Sequence, residues 1–145
     1  MKSTGWFGTA AVALALLAGC NTMQGMKADV RMGQVTLSGK NEVPPIDSAA
    51  TGTATVTVGA DRGVKVQLSV SGMSPTAAHI HQGAAGVNGP VIVPLDKTGD
   101  STFASKPDAK MTEAQYEAYK AGNTYLNVHS AKLPAGEIRA QLKGH

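Results

Sequence analysis

Thr51-Gly52-Thr53-Ala54-Thr55-Val56-Thr57-Val58 and, five residues on, Val64-Lys65-Val66-Gln67-Leu68-Ser69-Val70 decide the fold class. In each stretch apolar and polar residues alternate with period two. Ala54, Val56 and Val58 face one side and Thr53, Thr55 and Thr57 the other. Val64, Val66, Leu68 and Val70 likewise oppose Lys65, Gln67 and Ser69. Side chains on an extended strand point alternately to opposite faces, so this pattern marks half-buried antiparallel strands rich in β-branched residues. Ala60-Asp61-Arg62-Gly63 joins them as a hairpin turn, with Gly63 able to take positive φ.

The same period recurs in both directions from this hairpin. Upstream, Gln34 to Ser38 places Val35 and Leu37 on one face. Downstream, Ser71-Gly72-Met73-Ser74-Pro75 turns into a strand from Thr76 to Gln82, and the glycine-rich Gly83 to Gly89 leads to Pro90-Val91-Ile92-Val93-Pro94-Leu95. Pro90 and Pro94 bracket that strand, which suits an edge or a terminus. Ser101 to Ala104 reads as a short strand, and Asn123 to Ser130 and Gly136 to Leu142 as the last two. One helix interrupts them. Thr112 followed by Gln115 has the spacing of a capping box, Gly122 stops the helix, and Met111, Tyr116 and Tyr119 form its packing face. Seven or eight short strands with one short helical insertion read as an all-β domain, a sandwich or a flattened barrel. An antiparallel β-sandwich is the expectation taken forward.

Residues 1–19 read as an export signal: Lys2 is the positive start, and Thr9 to Ala18 is an apolar run too short to span a bilayer. Leu17-Ala18-Gly19-Cys20 resembles the lipobox of bacterial lipoproteins, which makes Cys20 the expected lipidation site and the bilayer, reached through acylated Cys20, the expected first partner. Asn21 is not the aspartate that favours inner-membrane retention, so the expected address is the periplasm, anchored to the outer membrane. Residues 20–32 are polar and aperiodic and read as a lipidated tether, leaving 33–145 as the domain. The mature chain loses only Lys2 from the 13 basic side chains, against 10 acidic ones. No basic stripe interleaved with aromatics is present, which argues against nucleic acid. Cys20 is the single cysteine, so an acylated chain has no thiol left for a disulfide.

Chemistry concentrates in the histidines. His79 and His81, two apart, share one face of a strand, while Ala78 and Ile80 take the other. In a later strand Tyr125, Asn127 and His129 oppose Leu126 and Val128, and in the last Glu137, Arg139 and Gln141 oppose Ile138, Ala140 and Leu142. If these strands are neighbours, three imidazoles converge outside the core. A His-x-His pair plus one histidine from an adjacent strand suits copper, with zinc the alternative. Without a thiolate, blue-copper electron transfer is excluded. Asn127 or Glu137 could fix an imidazole tautomer, and Met73, Asp96 or Glu42 could add a ligand. Equally, each histidine could simply hydrogen-bond Asn, Glu or a backbone carbonyl. Ser130 points away from His129 by strand parity, so nucleophilic hydrolysis has no support and no catalytic residue is assigned. His145, the final residue, is left out of the site.

Several spaced motifs resemble one family. Leu37-Ser38-Gly39, Glu42-Val43-Pro44-Pro45 and Ala50-Thr51-Gly52-Thr53-Ala54 are similar to the opening of the CHRD domain, named after chordin and widespread in bacterial exported proteins. Ala77-Ala78-His79-Ile80-His81, Gly89-Pro90-Val91, Tyr125-Leu126-Asn127-Val128-His129-Ser130 and Pro134-Ala135-Gly136-Glu137-Ile138-Arg139-Ala140-Gln141-Leu142 continue the likeness. Ser130 stands where the family typically has threonine, and Ala135 and Ala140 where it commonly has glycine. The resemblance implies an immunoglobulin-like or superoxide-dismutase-like sandwich and a signature centred on His79, His81 and His129. Glu42, Glu137 and Arg139 belong to that signature and could form a salt bridge or turn clamp. Two functions follow as expectations. One is a membrane-anchored copper-binding protein, redox-active on superoxide or a similar small oxygen species. The other is a non-catalytic envelope module that contacts another envelope protein or a second copy of itself.

Overall fold

In the computed structural model, which describes residues 31–144, every strand finds a partner on both sides. The strands are β1 (Arg31–Ser38), β2 (Thr51–Val58), β3 (Val64–Ser71), β4 (Pro75–Gln82), β5 (Val91–Gly99), β6 (Thr102–Ser105), β7 (Thr124–Ser130) and β8 (Ile138–Leu142), with one helix, α1 (Glu113–Lys120), before β7. Their order around the ring is β1-β2-β3-β6-β5-β4-β7-β8, all pairs are antiparallel, and β8 returns to β1. This closed barrel replaces the expected sandwich, immunoglobulin-like or superoxide-dismutase-like. Alternation reports that each strand has one buried face; it does not report whether those faces belong to two sheets or to one sheet rolled up. Two short pairings decide the matter. β3 meets β6 through Gln67↔Ala104, Leu68↔Phe103 and Ser69↔Thr102, and β1 meets β8 through Ser38↔Arg139. A sandwich would leave free edges at both places.

Alternation fills the interior as read. Val56, Val66, Leu68, Ile80, Leu126 and Ile138 are buried in one core, and Phe103 on β6, 2% exposed, packs among them where β3, β6 and β5 meet. β1 begins at Arg31, opposite Val58, slightly ahead of the expected domain start at residue 33. Helix α1 has the predicted capping box: Thr112 Oγ1 accepts from Gln115 N–H while the Gln115 side chain accepts from Thr112 N–H. Its Tyr119, with Met111 just ahead, is buried.

Two local expectations shift. The left-handed residue of the β2–β3 turn is Arg62, φ 69°, rather than Gly63. Gly63 is held extended by its bridge to Lys110, and its N–H donates to Asp61 Oδ1, so the turn is made one residue earlier. Pro94 lies inside β5, opposite His79, instead of closing a strand end. The register of β4 and β5 slips by one residue between Ile80 and His81, a bulge beside the histidines. From Ser38 the strands β1 and β8 part, leaving a cavity of about 810 Å³ whose lining includes Val56, Leu142, Lys40, Glu42 and Arg139. Among the described residues no helix is long and apolar enough to cross a membrane. The signal at 1–19, Cys20, most of the 20–32 tether, and His145 lie outside the described residues.

Truncating Phe103 to alanine empties a tight core position at a closing pair of the ring. The expected cost is about 3–5 kcal/mol, read as a fall in the urea midpoint with an unchanged slope.

Candidate metal centre

Strand parity and register put the histidines on one patch of the outer face. β4 and β7 pair with Ala77↔His129, His79↔Asn127 and His81↔Tyr125. His79 and His81 stand outward on β4, and Tyr125, Asn127 and His129 outward on β7. His129 is diagonal to His79, a spacing that long side chains bridge across antiparallel strands. The His79 and His129 rings lie 4.9 Å apart, His79 and His81 5.6 Å, and His81 and His129 6.1 Å. One nitrogen from each ring lies within 4.8 Å of the other two, so the trio could hold a metal ion.

The ring partners assign the tautomers. His81 Nδ1 lies 2.9 Å from Gly89 O, and His129 Nδ1 2.9 Å from Pro134 O. A carbonyl only accepts, so each Nδ1 carries a proton, and Nε2 is the nitrogen left to the cluster. His129 Nε2 accepts from His79 Nδ1 at 3.0 Å. His81 Nε2 is buried with no hydrogen-bond partner, on a side chain 8% exposed. Burial pushes the His79 imidazole below its ordinary pKa, and the neighbouring His129 and His81 push it further. Burial also lowers His129; its bond to Pro134 opposes this and His81 adds to it. Burial dominates for both His79 and His129 and favours the neutral ring, the form that donates a lone pair to a metal.

The expected supporting residues lie elsewhere. Glu137 accepts from Ser48 Oγ, and Asn127 sits beside Glu42 under Gly136, whose φ of 139° lets the chain pass close to both side chains. Among the described hydrogen bonds neither residue reaches an imidazole; backbone carbonyls of Gly89 and Pro134 do so instead. Burial raises the Glu42 carboxyl above its usual pKa, against the pull of Arg139, the Val43 N–H and the Asn127 amide. Glu42 and Asp96 do not join the cluster, and Met73 packs against the core. Ser130 Oγ accepts from Leu133 N–H, turned away from His129. The Arg139 guanidinium gives its hydrogen bonds to Asn88, Ala84, Val87 and Gln141, so the expected clamp between Glu137 and Arg139 is not how it is used.

Sequence reading gave Tyr125 and Arg139 no part in the histidine cluster. Tyr125 stacks on His81, centroids 4.9 Å apart and planes 8° from parallel, and Arg139 lies 3.4 Å over the other side of the Tyr125 ring. Parity alone, which pairs His81 with Tyr125, was the available signal.

Fold and site together define a small closed antiparallel barrel bearing a three-imidazole cluster on its outer wall. The chain belongs to the CHRD domain family, whose match runs over residues 33–142 and so takes in the whole cluster and every strand but the first two residues of β1. No curated protein and no solved structure matches it significantly.

Because His79 and His129 are held neutral by the fold, both should titrate below the ordinary imidazole value of 6.5 in the metal-free protein. The unfolded chain then binds more protons as pH falls beneath 6.5, so the stability these rings contribute is complete above that pH and is lost as acidity approaches their folded pKa values. Two-dimensional NMR of the imidazole carbons across pH 4.5–8 measures both midpoints; midpoints at or above 6.5 would contradict the burial argument.

Proposed function

We propose that this protein is a lipid-anchored domain of the bacterial cell envelope that binds one copper ion through His79, His81 and His129. The observation that carries the reading is His81 Nε2, a lone pair buried with nothing to accept from, beside two further imidazoles. A buried polar atom without a partner costs free energy, and here it lies among two further imidazoles where an ion would supply that partner. The donor set fits. Bonds of about 2.0 Å allow two nitrogens on one ion to lie up to about 4 Å apart, close to the spacing of the trio. Three neutral nitrogens and no thiolate favour copper over zinc in the divalent series. A copper ion there would supply one-electron chemistry on a small oxygen species such as superoxide. The chain's own part is to favour the neutral form of His79 and His129 and to orient all three rings. His79 and His129 are partly exposed, which gives a small molecule a way in.

The envelope address rests on sequence: the apolar leader, Leu17-Ala18-Gly19-Cys20 and Asn21 support an acylated Cys20 and an outer-membrane location facing the periplasm. A second reading, histidines as scaffold in an envelope interaction module, is favoured by the His79–His129 hydrogen bond, which satisfies one nitrogen of each ring without an ion. It gives no account of His81 Nε2.

Metal analysis of the purified protein after copper or zinc loading tests the reading. One equivalent of copper is expected, with an electron paramagnetic resonance spectrum split by nitrogen. His81→Ala and His129→Ala should weaken binding by more than the roughly 10–100-fold that loss of a supporting residue costs, with the fold kept. Affinity should also fall as pH drops through the imidazole range, because protons compete for the same lone pairs. No stoichiometric metal in the wild type would leave the scaffold reading standing. Separately, Cys20→Ser should move the protein from the membrane fraction to the soluble one.

A further inference from the structure

The segment from Gly83 to Gly89 has no regular structure, yet it is tied down along its length. Gln141 Nε2 donates to Gly83 O at 2.9 Å. Arg139, 1% exposed, donates through Nη2 to Val87 O at 3.0 Å and Ala84 O at 3.3 Å, and through Nη1 to Asn88 Oδ1 at 3.1 Å. Asn88 Nδ2 donates in turn to Val43 O at 2.8 Å, and Gly89 N–H donates to the Tyr125 hydroxyl at 3.1 Å. The segment ends on the Gly89 carbonyl that accepts from His81 Nδ1.

His81 is thus gripped twice, by the same guanidinium acting along two routes. Its edge is held by Gly89 O, at the end of the segment that Arg139 clamps. Its face is held by Tyr125, whose opposite side Arg139 covers. An edge contact and a face contact together fix both side-chain torsions of an imidazole, which neither does alone. His129 has an edge contact to Pro134 O, and His79 bonds only to His129. We infer that Arg139, Tyr125 and Asn88 are positioning residues that lock His81 in the tautomer and orientation presenting Nε2 to the cluster, so that the Gly83–Gly89 segment is a fixed bracket. This rests on reading the trio as a metal centre. The planar fork of arginine is required, since a lysine ammonium cannot stack on the ring and reach three acceptors together.

The test compares copper affinity, nitrogen splitting and the His81 nitrogen tautomer by ¹⁵N NMR of the metal-free form, in the wild type and four variants. Tyr125→Leu and Arg139→Lys should weaken copper binding by about 10–100-fold, the usual consequence of removing a supporting partner. Tyr125→Phe keeps the ring and should restore most of the affinity. Asn88→Ala alters an exposed side chain and so spares the core; it should lower affinity by about 10-fold and turn the single Nδ1–H tautomer of His81 into a mixture. If Asn88→Ala and Tyr125→Leu bind copper as the wild type does, with the same splitting and one tautomer, the inference is wrong while the metal reading stands. Should Tyr125→Leu not fold, Asn88→Ala decides alone. A wild type that takes up no copper removes both.

Discussion

A barrel of eight strands fills its own interior. Once Val56, Leu68, Ile80, Phe103 and Leu126 occupy the inside, there is no internal room for an imidazole or a guanidinium, and alternation sends His79, His81, Tyr125, Asn127, His129, Arg139 and Gln141 to the outer wall. An enclosed site on that wall has to be made by covering it. The chain does this with connections rather than with a second sheet. The 3-10 turn at Gly39–Asn41 and the residues after it, the Gly83–Gly89 bracket and the Ala131–Gly136 loop lie over the outer faces of β4, β7 and β8.

That cover is organised around a buried positive charge. A guanidinium removed from water must regain its hydrogen bonds within the protein, or its burial is severely destabilising. Arg139 regains them from backbone carbonyls and an amide oxygen, with an aromatic face beneath. Carbonyls are neutral acceptors, so the arrangement leaves Glu42 near the guanidinium without a direct ion pair being its main tie. Burial still raises the Glu42 carboxyl, with Arg139 pulling the other way. A column of planar groups runs from Arg139 through Tyr125 to His81, from a charged anchor to the histidine cluster.

Much of this was legible in the sequence, where the physics is local. Period two gave the strands and the outward face of His79, His81 and His129; the Thr112–Gln115 spacing gave the helix cap. What lay beyond reading depends on pairing. Closure hangs on Ser38↔Arg139 and on the three pairs between β3 and β6, and no residue pattern within either strand distinguishes a rolled sheet from two stacked ones. The partners of the imidazoles were hidden for a related reason. Gly89 and Pro134 act through their carbonyls, which every residue has, so Asn127 and Glu137 drew notice through side chains that are directed elsewhere. Tyr125, Arg139 and Asn127 were read as outward-facing, correctly, but outward on this wall means buried under loops.

The pinch between β1 and β8 has a consequence of its own. Arg139 is flanked by Ser38 on one side and Asn127 on the other, and its carbonyl accepts from Asn41. The residue at the root of the column is therefore also the narrowest join in the ring. A fluctuation that unzips this seam frees the backbone from which the guanidinium is launched, while β4 and β7, paired along most of their length, stay together. The seam and the column thus share one residue, so a substitution at Arg139 bears on barrel closure and on the stack over His81 at once.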